Sequence, residues 1–194
     1  VYGNTIPGMH YKEKLINFSP INNYDLTKYV LDLHAQSYIN RGYNIVGLRF
    51  GTVNGGSPYI RTDVMINAMY VSAKMSGQIV VKNKQISRAL LGTDDLSRAV
   101  DTIINKPKPG IYNLASFNVT VDAIATTLAD KLKVNIVDQG KDGNAYDFGL
   151  DCELFEKVYD FEFKETPLSI VDGLDKWYYN SSHGRRDNYM EYTW

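Results

Sequence analysis

Residues 22–55 read NNYDLTKYVLDLHAQSYINRGYNIVGLRFGTVNG, and this stretch decides the fold. Its first part, residues 24–40, places Leu26, Val30 and Leu33 at the spacing of one helix face. Residues 44–50 are apolar and β-branched, as in a buried strand of a parallel sheet. That strand enters a glycine-punctuated turn, Gly51-Thr52-Val53-Asn54-Gly55. A helix, a strand and a tight turn in that order indicate an α/β protein.

Tyr24 and Lys28 stand four residues apart at the start of the helix. Positions i and i+4 share a helix face, so phenol and ammonium can serve one site. A nearby ammonium favours a phenolate, and a phenol so placed can move protons. The same spacing also occurs in an ordinary surface pair, so the rest of the chain has to decide between the two.

Outward from this stretch, residues 3–22 are polar and read as a loop. Residues 62–75 predict a helix carrying Met65, Ala68, Met69 and Met75 into the core. Strands are expected at 78–82 and 88–91. Thr93 is the expected N-cap of a helix over 94–104, which Pro107 and Pro109 close. A strand over 110–114 follows. Thr120 caps a helix with the stripe Val121, Ile124, Ala125, Leu128, Ala129 and Leu132. Beyond it lie a strand at 134–137, a polar loop at 138–148 and a short helix opened by Asp151. Thr166-Pro167 supplies an N-cap and a first-turn proline for a helix through Leu168, Val171, Leu174 and Trp177. Residues 180–194 form a polar, aromatic tail, a mobile end or docking arm.

The 194 residues fit one domain-sized core, with 44% hydrophobic and 22% charged residues. A net charge of −1 argues against a nucleic-acid partner. No run of about 18 apolar residues suggests a membrane span. One cysteine, Cys152, suits a reducing compartment and the cytoplasm. Its acidic neighbours Asp151 and Glu153 point to an inert thiol. His10, His34 and His183 lack ligand spacing, so no metal site is expected.

Several motifs occur in a telling order: Val1-Tyr2-Gly3; Tyr24 with Lys28; Leu48-Arg49 through Val53 to Gly55; Arg61-Thr62-Asp63-Val64-Met65-Ile66-Asn67; Arg88 through Asp94-Asp95; and Lys164-Glu165-Thr166-Pro167 through Leu174. This order resembles the extended short-chain dehydrogenase/reductase family, the NAD-dependent nucleotide-sugar epimerases and dehydratases. The resemblance implies the C-terminal part of a Rossmann-type parallel sheet plus a smaller α/β substrate-binding domain. The N-terminal Rossmann half is absent: no glycine-rich dinucleotide fingerprint follows a strand anywhere in the chain. The chain therefore reads as the C-terminal part of a longer enzyme, truncated, cleaved or split. By itself it is expected to be inactive, because the family's catalytic Ser or Thr is missing as well.

The resemblance further implies that residues 1–57 end the dinucleotide-binding domain. Residues 58–179 are then mainly substrate-binding, with a returning Rossmann strand near 88–114, and 180–194 form the tail. Tyr24 and Lys28 become the catalytic pair. Tyr24, Lys28, Phe50, Gly51 and Val53 contact NAD or NADP; Thr52, Arg61, Asn67 and Arg88 contact a nucleotide sugar. Arg88 matches the arginine that binds the diphosphate. A homodimer is implied, through a bundle that includes the Tyr24 helix, and the missing half is a further partner. Three departures bear on the substrate: Thr52 where the family often has Asn, Asn54 where it has an aromatic, and Ala89 after Arg88. A nucleotide-sugar reductase and a non-catalytic binding or scaffold fragment are the alternatives.

Overall fold

Asn22 starts the helix on which this reading turns: its side-chain oxygen accepts from the Asp25 amide at 2.8 Å. The computed structural model describes residues 2–3, 5–14, 19–58, 60–143 and 145–182; His183 and positions 183–194 of the predicted tail lie outside the described residues. In chain order the elements are β1 (His10–Tyr11), α1 (Asn23–Asn40), β2 (Val46–Phe50), β3 (Thr52–Asn54), α2 (Met65–Ser76), β4 (Gln78–Val81), β5 (Ser87–Gly92) and α3 (Thr93–Asn105). There follow β6 (Gly110–Leu114), β7 (Phe117–Thr120), α4 (Val121–Leu132), β8 (Asn135–Asp138), β9 (Gly149–Leu150), α5 (Glu153–Tyr159) and α6 (Pro167–Ser182). Positions 180–182 of the predicted tail thus continue α6.

The strand after the Tyr24 helix pairs as a parallel strand: β2 runs beside β6 with Val46 opposite Gly110 and Phe50 opposite Leu114. Its burial is not that of a central strand. Among the described residues β2 has β6 as its one strand partner, and Phe50 is half exposed. The turn after it is more ordered than a loop, because Thr52, Val53 and Asn54 form β3 against β5. Antiparallel β7 covers the other side of β5, and β4 pairs with β8 in parallel.

One core lies between α2, α4, α6 and the β4–β5 strands, around Ile66, Met69, Tyr70, Ile79, Leu90, Ile124, Leu128 and Leu174. The Thr120 helix behaves as its stripe predicts, with Thr120 accepting from the Ala123 amide at 3.2 Å. The methionine stripe divides: Met69 is buried and Met65 packs at the core margin, but Met75, in the last turn of α2, faces solvent. A second core joins Leu91, Ala99, Tyr112 and Leu114 to the aromatic residues Phe155, Tyr159 and Phe161.

Thr93 does not cap α3. The N-cap position belongs to Gly92, and the cap arrives from far along the chain. Glu165 Oε2 accepts from the amides of Asp94 at 2.9 Å and Asp95 at 3.0 Å. A Cβ on Gly92 would meet Glu165 Oε2 at 1.9 Å, so glycine is what lets the carboxylate reach the helix end. Asp95 answers in the other direction, accepting from the amides of Lys164 at 3.0 Å and Glu165 at 2.9 Å, and from Ser116 Oγ at 2.6 Å. Arg98 completes the cluster with a hydrogen bond to Asp95.

Candidate active site

At the carboxyl end of β2 the chain turns under α1, and the turn requires its glycine. A Cβ at Gly51 would stand 2.8 Å from the Ala89 carbonyl oxygen of β5, too close for any side chain. The result is a cleft of about 510 Å³ whose walls are Tyr24, residues 50–55, Ser57, Arg61, Val64, Asn67 and Thr93. The open end of a strand in such a sheet is where ligands enter. Tyr24 is 67% exposed, and Lys28 Nζ lies 5.4 Å from the centre of its ring. The ammonium thus sits over the ring face, and Lys28, exposed beside Tyr24, is not among the residues that line the cleft.

The other predicted contacts differ in what their side chains do. Asn67 is buried and its amide is engaged by backbone: it accepts from the Gly55 amide at 3.0 Å and donates to the Arg61 carbonyl at 2.9 Å. Asn54 acts in parallel, accepting from the Ile66 amide at 2.9 Å and donating to the Thr52 carbonyl at 2.8 Å. Together the two asparagines fix the far wall. Arg61 is exposed at the cleft mouth and forks onto Asp63 at 3.0 and 2.5 Å, which holds the Asp63 carboxyl below its usual value.

Arg88 lies outside the lining of this cleft, one layer behind Thr52. Its guanidinium donates to Thr52 Oγ1 at 3.3 Å, and no carboxylate pairs with it among the described residues. Burial lowers its pKa, the signature of a cation withdrawn from water without a counter-ion. Tyr146, within electrostatic reach of Arg88, is a wall of a larger cleft of about 890 Å³ that also includes Thr5, Ile21, Lys84, Ile86, Lys141 and Asp147. Arg88 is thus bonded to a wall of the smaller cleft and electrostatically coupled to a wall of the larger one, and lines neither.

Sequence reasoning missed a buried network next to the site. Arg49, next to the end of β2, donates to Asp32 of α1 at 2.7 Å, to Tyr2 Oη at 2.9 Å and to the Glu13 carbonyl at 2.9 Å. Tyr2 Oη in turn donates to Asn113 Oδ1 at 2.5 Å, and burial pushes its pKa up to about 12. The available signal was a lone arginine inside an apolar strand. Tyr146 was missed too, since nothing local marks a tyrosine in a polar loop. For Cys152, burial pushes the thiol up to about 12, which leaves it protonated. No helix of the described residues is long and apolar enough to cross a membrane.

The sequence profile of the NAD dependent epimerase/dehydratase family matches residues 1–115, more than half of the chain. The chain belongs to this family. Among curated proteins no sequence matches it. Solved structures do. A dTDP-glucose 4,6-dehydratase from Bacillus anthracis, determined with NAD, superposes with a TM-score of 0.78 at 20% identity over 95% of this chain and 60% of that one. RMD from Pseudomonas aeruginosa with NADPH gives 0.74 at 20% identity, over 93% and 64%. A UDP-N-acetylglucosamine 4-epimerase from Methanobrevibacter ruminantium with UDP-N-acetylmuramic acid gives 0.75 at 23% identity, over 93% and 60%. These likenesses establish the fold, mixed α/β with Rossmann-type parallel strands. The chain spans about 60% of the length of the dehydratase and of the epimerase it matches.

Proposed function

We propose that this chain is the substrate-binding and proton-transferring part of an NAD- or NADP-dependent nucleotide-sugar epimerase or dehydratase. The observation that carries the reading is Arg88: a half-buried guanidinium without a carboxylate partner among the described residues, hydrogen-bonded to Thr52 in the wall of the cleft that holds Tyr24. A guanidinium keeps its charge when desolvated and forks onto phosphate oxygens, so a diphosphate bound to it would supply the missing counter-charge. The sugar then lies toward Tyr24 and Thr52, and the nucleoside toward the larger cleft. Arg61, at the mouth, is a second contact for the substrate. Asn67 acts on it through the wall it holds.

The residues present fit the nicotinamide end of a dinucleotide. The Phe50 side chain is half exposed, Gly51 and Val53 bring backbone to the cleft, and Tyr24 and Lys28 approach from α1. When bound, the dinucleotide supplies hydride transfer. Tyr24 removes the proton from the sugar hydroxyl as that carbon is oxidised, and returns it at the end. Lys28 keeps positive charge beside the phenol and donates to the cofactor ribose. No residue run in the chain makes the glycine-rich phosphate turn, so turnover requires a polypeptide that supplies it.

This gives the domains a physical meaning. Residues 1–57 end the dinucleotide-binding domain, and β6 returns to it beside β2. The remainder, to about residue 179, is mainly substrate-binding. The open edge of β2 and the exposed Leu26, Val30, Leu31 and Leu33 of α1 suit cover by the dinucleotide-binding half and by a second copy in a homodimer. The cytoplasm is the expected site of action.

Two measurements test the reading. Calorimetric titration with UDP and dTDP should show binding that Arg88→Met weakens about tenfold to a hundredfold, the worth of charge-assisted hydrogen bonds to phosphate. Equal affinity in parent and variant, or no binding by the parent, would remove the diphosphate from this position. In an assembly that contains the glycine fingerprint, Lys28→Met should raise the dinucleotide dissociation constant about tenfold, through the lost ribose hydrogen bond. An unchanged constant would take Lys28 out of the cofactor site.

A further inference from the structure

We infer that Tyr146 is a positioning residue for Tyr24, and that it couples the larger cleft to the first turn of α1. The inference rests on the proposed role of Tyr24 in proton transfer. Tyr146 lies between β8 and β9, where it lines the larger cleft together with Lys141, Gly143, Ala145 and Asp147. Its hydroxyl leaves that wall and closes a ring of hydrogen bonds on the helix start. Tyr146 Oη donates to Asp25 Oδ1 at 2.9 Å and accepts from Asn22 Nδ2 at 2.7 Å. Asn22 Oδ1 accepts from the Asp25 amide at 2.8 Å, which completes the ring.

Asp25 is 2% exposed and has no cation partner among the described residues; its other carboxylate oxygen accepts from the Ile21 amide at 3.3 Å. The Tyr146 proton is therefore the one side-chain donor this buried carboxylate has among the described residues. Burial raises the Tyr146 pKa, which keeps that proton in place. Tyr24 lies inside the clamped turn, between Asn22 and Asp25, and its own ring is largely in solvent. Its direction is inherited from the turn rather than from packing around it.

The segment that carries Tyr146 is tied to the substrate side of the molecule. Asp147 Oδ1 accepts from the Ser87 amide at 2.8 Å, and the Phe148 amide donates to the Ser87 carbonyl at 3.0 Å. Ser87 precedes Arg88. At its other end Asn83 holds Asp142 through two hydrogen bonds, at 2.8 and 3.0 Å. A ligand that orders this wall and engages Arg88 thus tightens the Tyr146 ring and, through it, the turn that aims Tyr24.

Tyr146→Phe keeps the aromatic ring and removes the hydroxyl. Amide exchange on the chain should accelerate about tenfold over residues 22–28 and stay unchanged over α4. Saturating UDP or dTDP should slow exchange at 22–28 in the parent and fail to do so in the variant. In the assembly that turns over, kcat should fall about tenfold while KM for the nucleotide sugar stays within about twofold. Unchanged exchange at 22–28, or a loss of protection that extends equally to α4, would overturn the positioning role even if nucleotides bind as proposed. Nucleotide protection of 22–28 that is equal in both proteins would overturn the coupling. A parent that binds no nucleoside diphosphate overturns the coupling together with the proposed substrate, whereas exchange of the unliganded proteins decides the ring independently.

Discussion

Tyr24→Phe is expected to lower turnover by about 10² or more, with cofactor affinity changed much less, in an enzyme assembled with its dinucleotide-binding half. The substitution removes one oxygen from a side chain that is mostly in solvent, so the fold has little to lose. The effect therefore reports on chemistry. A proton-transfer group acts in the transition state, and its loss lowers kcat and kcat/KM together. Loss of a mere binding contact would raise KM alone. Steady-state kinetics within about threefold of the parent would remove Tyr24 from the mechanism and leave the cleft as a binding site.

Much of the fold was legible because its signals are local. The helix over residues 24–40, the Thr120 cap and the Thr166-Pro167 start each depend on residues a few positions apart, and α1, α4 and α6 begin where those residues stand. The reciprocal hydrogen bonds between Thr166 and Ser169 show how short such a signal is. The cap of α3 was illegible for the opposite reason. It comes from Glu165, which is brought to Gly92 by the intervening chain, and Thr93 looked sufficient on its own.

The site divides along the same line. The glycine turn is a local signal, whereas Tyr24 reaches the same cleft only through the packing of α1 beside β2. The burial of Asn67 depends on how Gly55 and Arg61 pack around it, and no spacing announces that its amide serves both. Arg49 was visible as part of the Leu-Arg motif, but its engagement with Asp32 and Tyr2 needs α1 and the start of the chain in place. Arg49 of that motif ties β2 to the helix that carries Tyr24.

Asp95→Ala is the substitution with the largest expected cost in stability, about 3–5 kcal/mol. Asp95 is fully buried and accepts from Ser116, from the amides of Lys164 and Glu165, and from Arg98. Alanine strands those donors and unties α3 from the segment leading into α6. At this chain length such a loss lowers the melting temperature by about 10 °C. The pH dependence identifies the cause. Burial pushes the Asp95 carboxyl up, but its hydrogen bonds to Ser116, Lys164, Glu165 and Arg98 outweigh it, and the net value lies below the ordinary one. A depressed carboxyl contributes its full stability above the unfolded pKa of about 4, and loses it as pH falls through the lower folded value. The deficit of Asp95→Ala should therefore be full at pH 7 and shrink in acid below about pH 4. Glu165 has the opposite sign: burial first, then Asp94 and Asp95, raise its pKa, so protonation is easier in the folded state and its linkage favours folding as pH falls. A deficit that instead grows in acid would assign the linkage to another group. Denaturant melts of parent and variant at pH 7 and in the acid range decide this. The same loosening reaches the cleft, because Thr93, at the start of α3, is one of its walls.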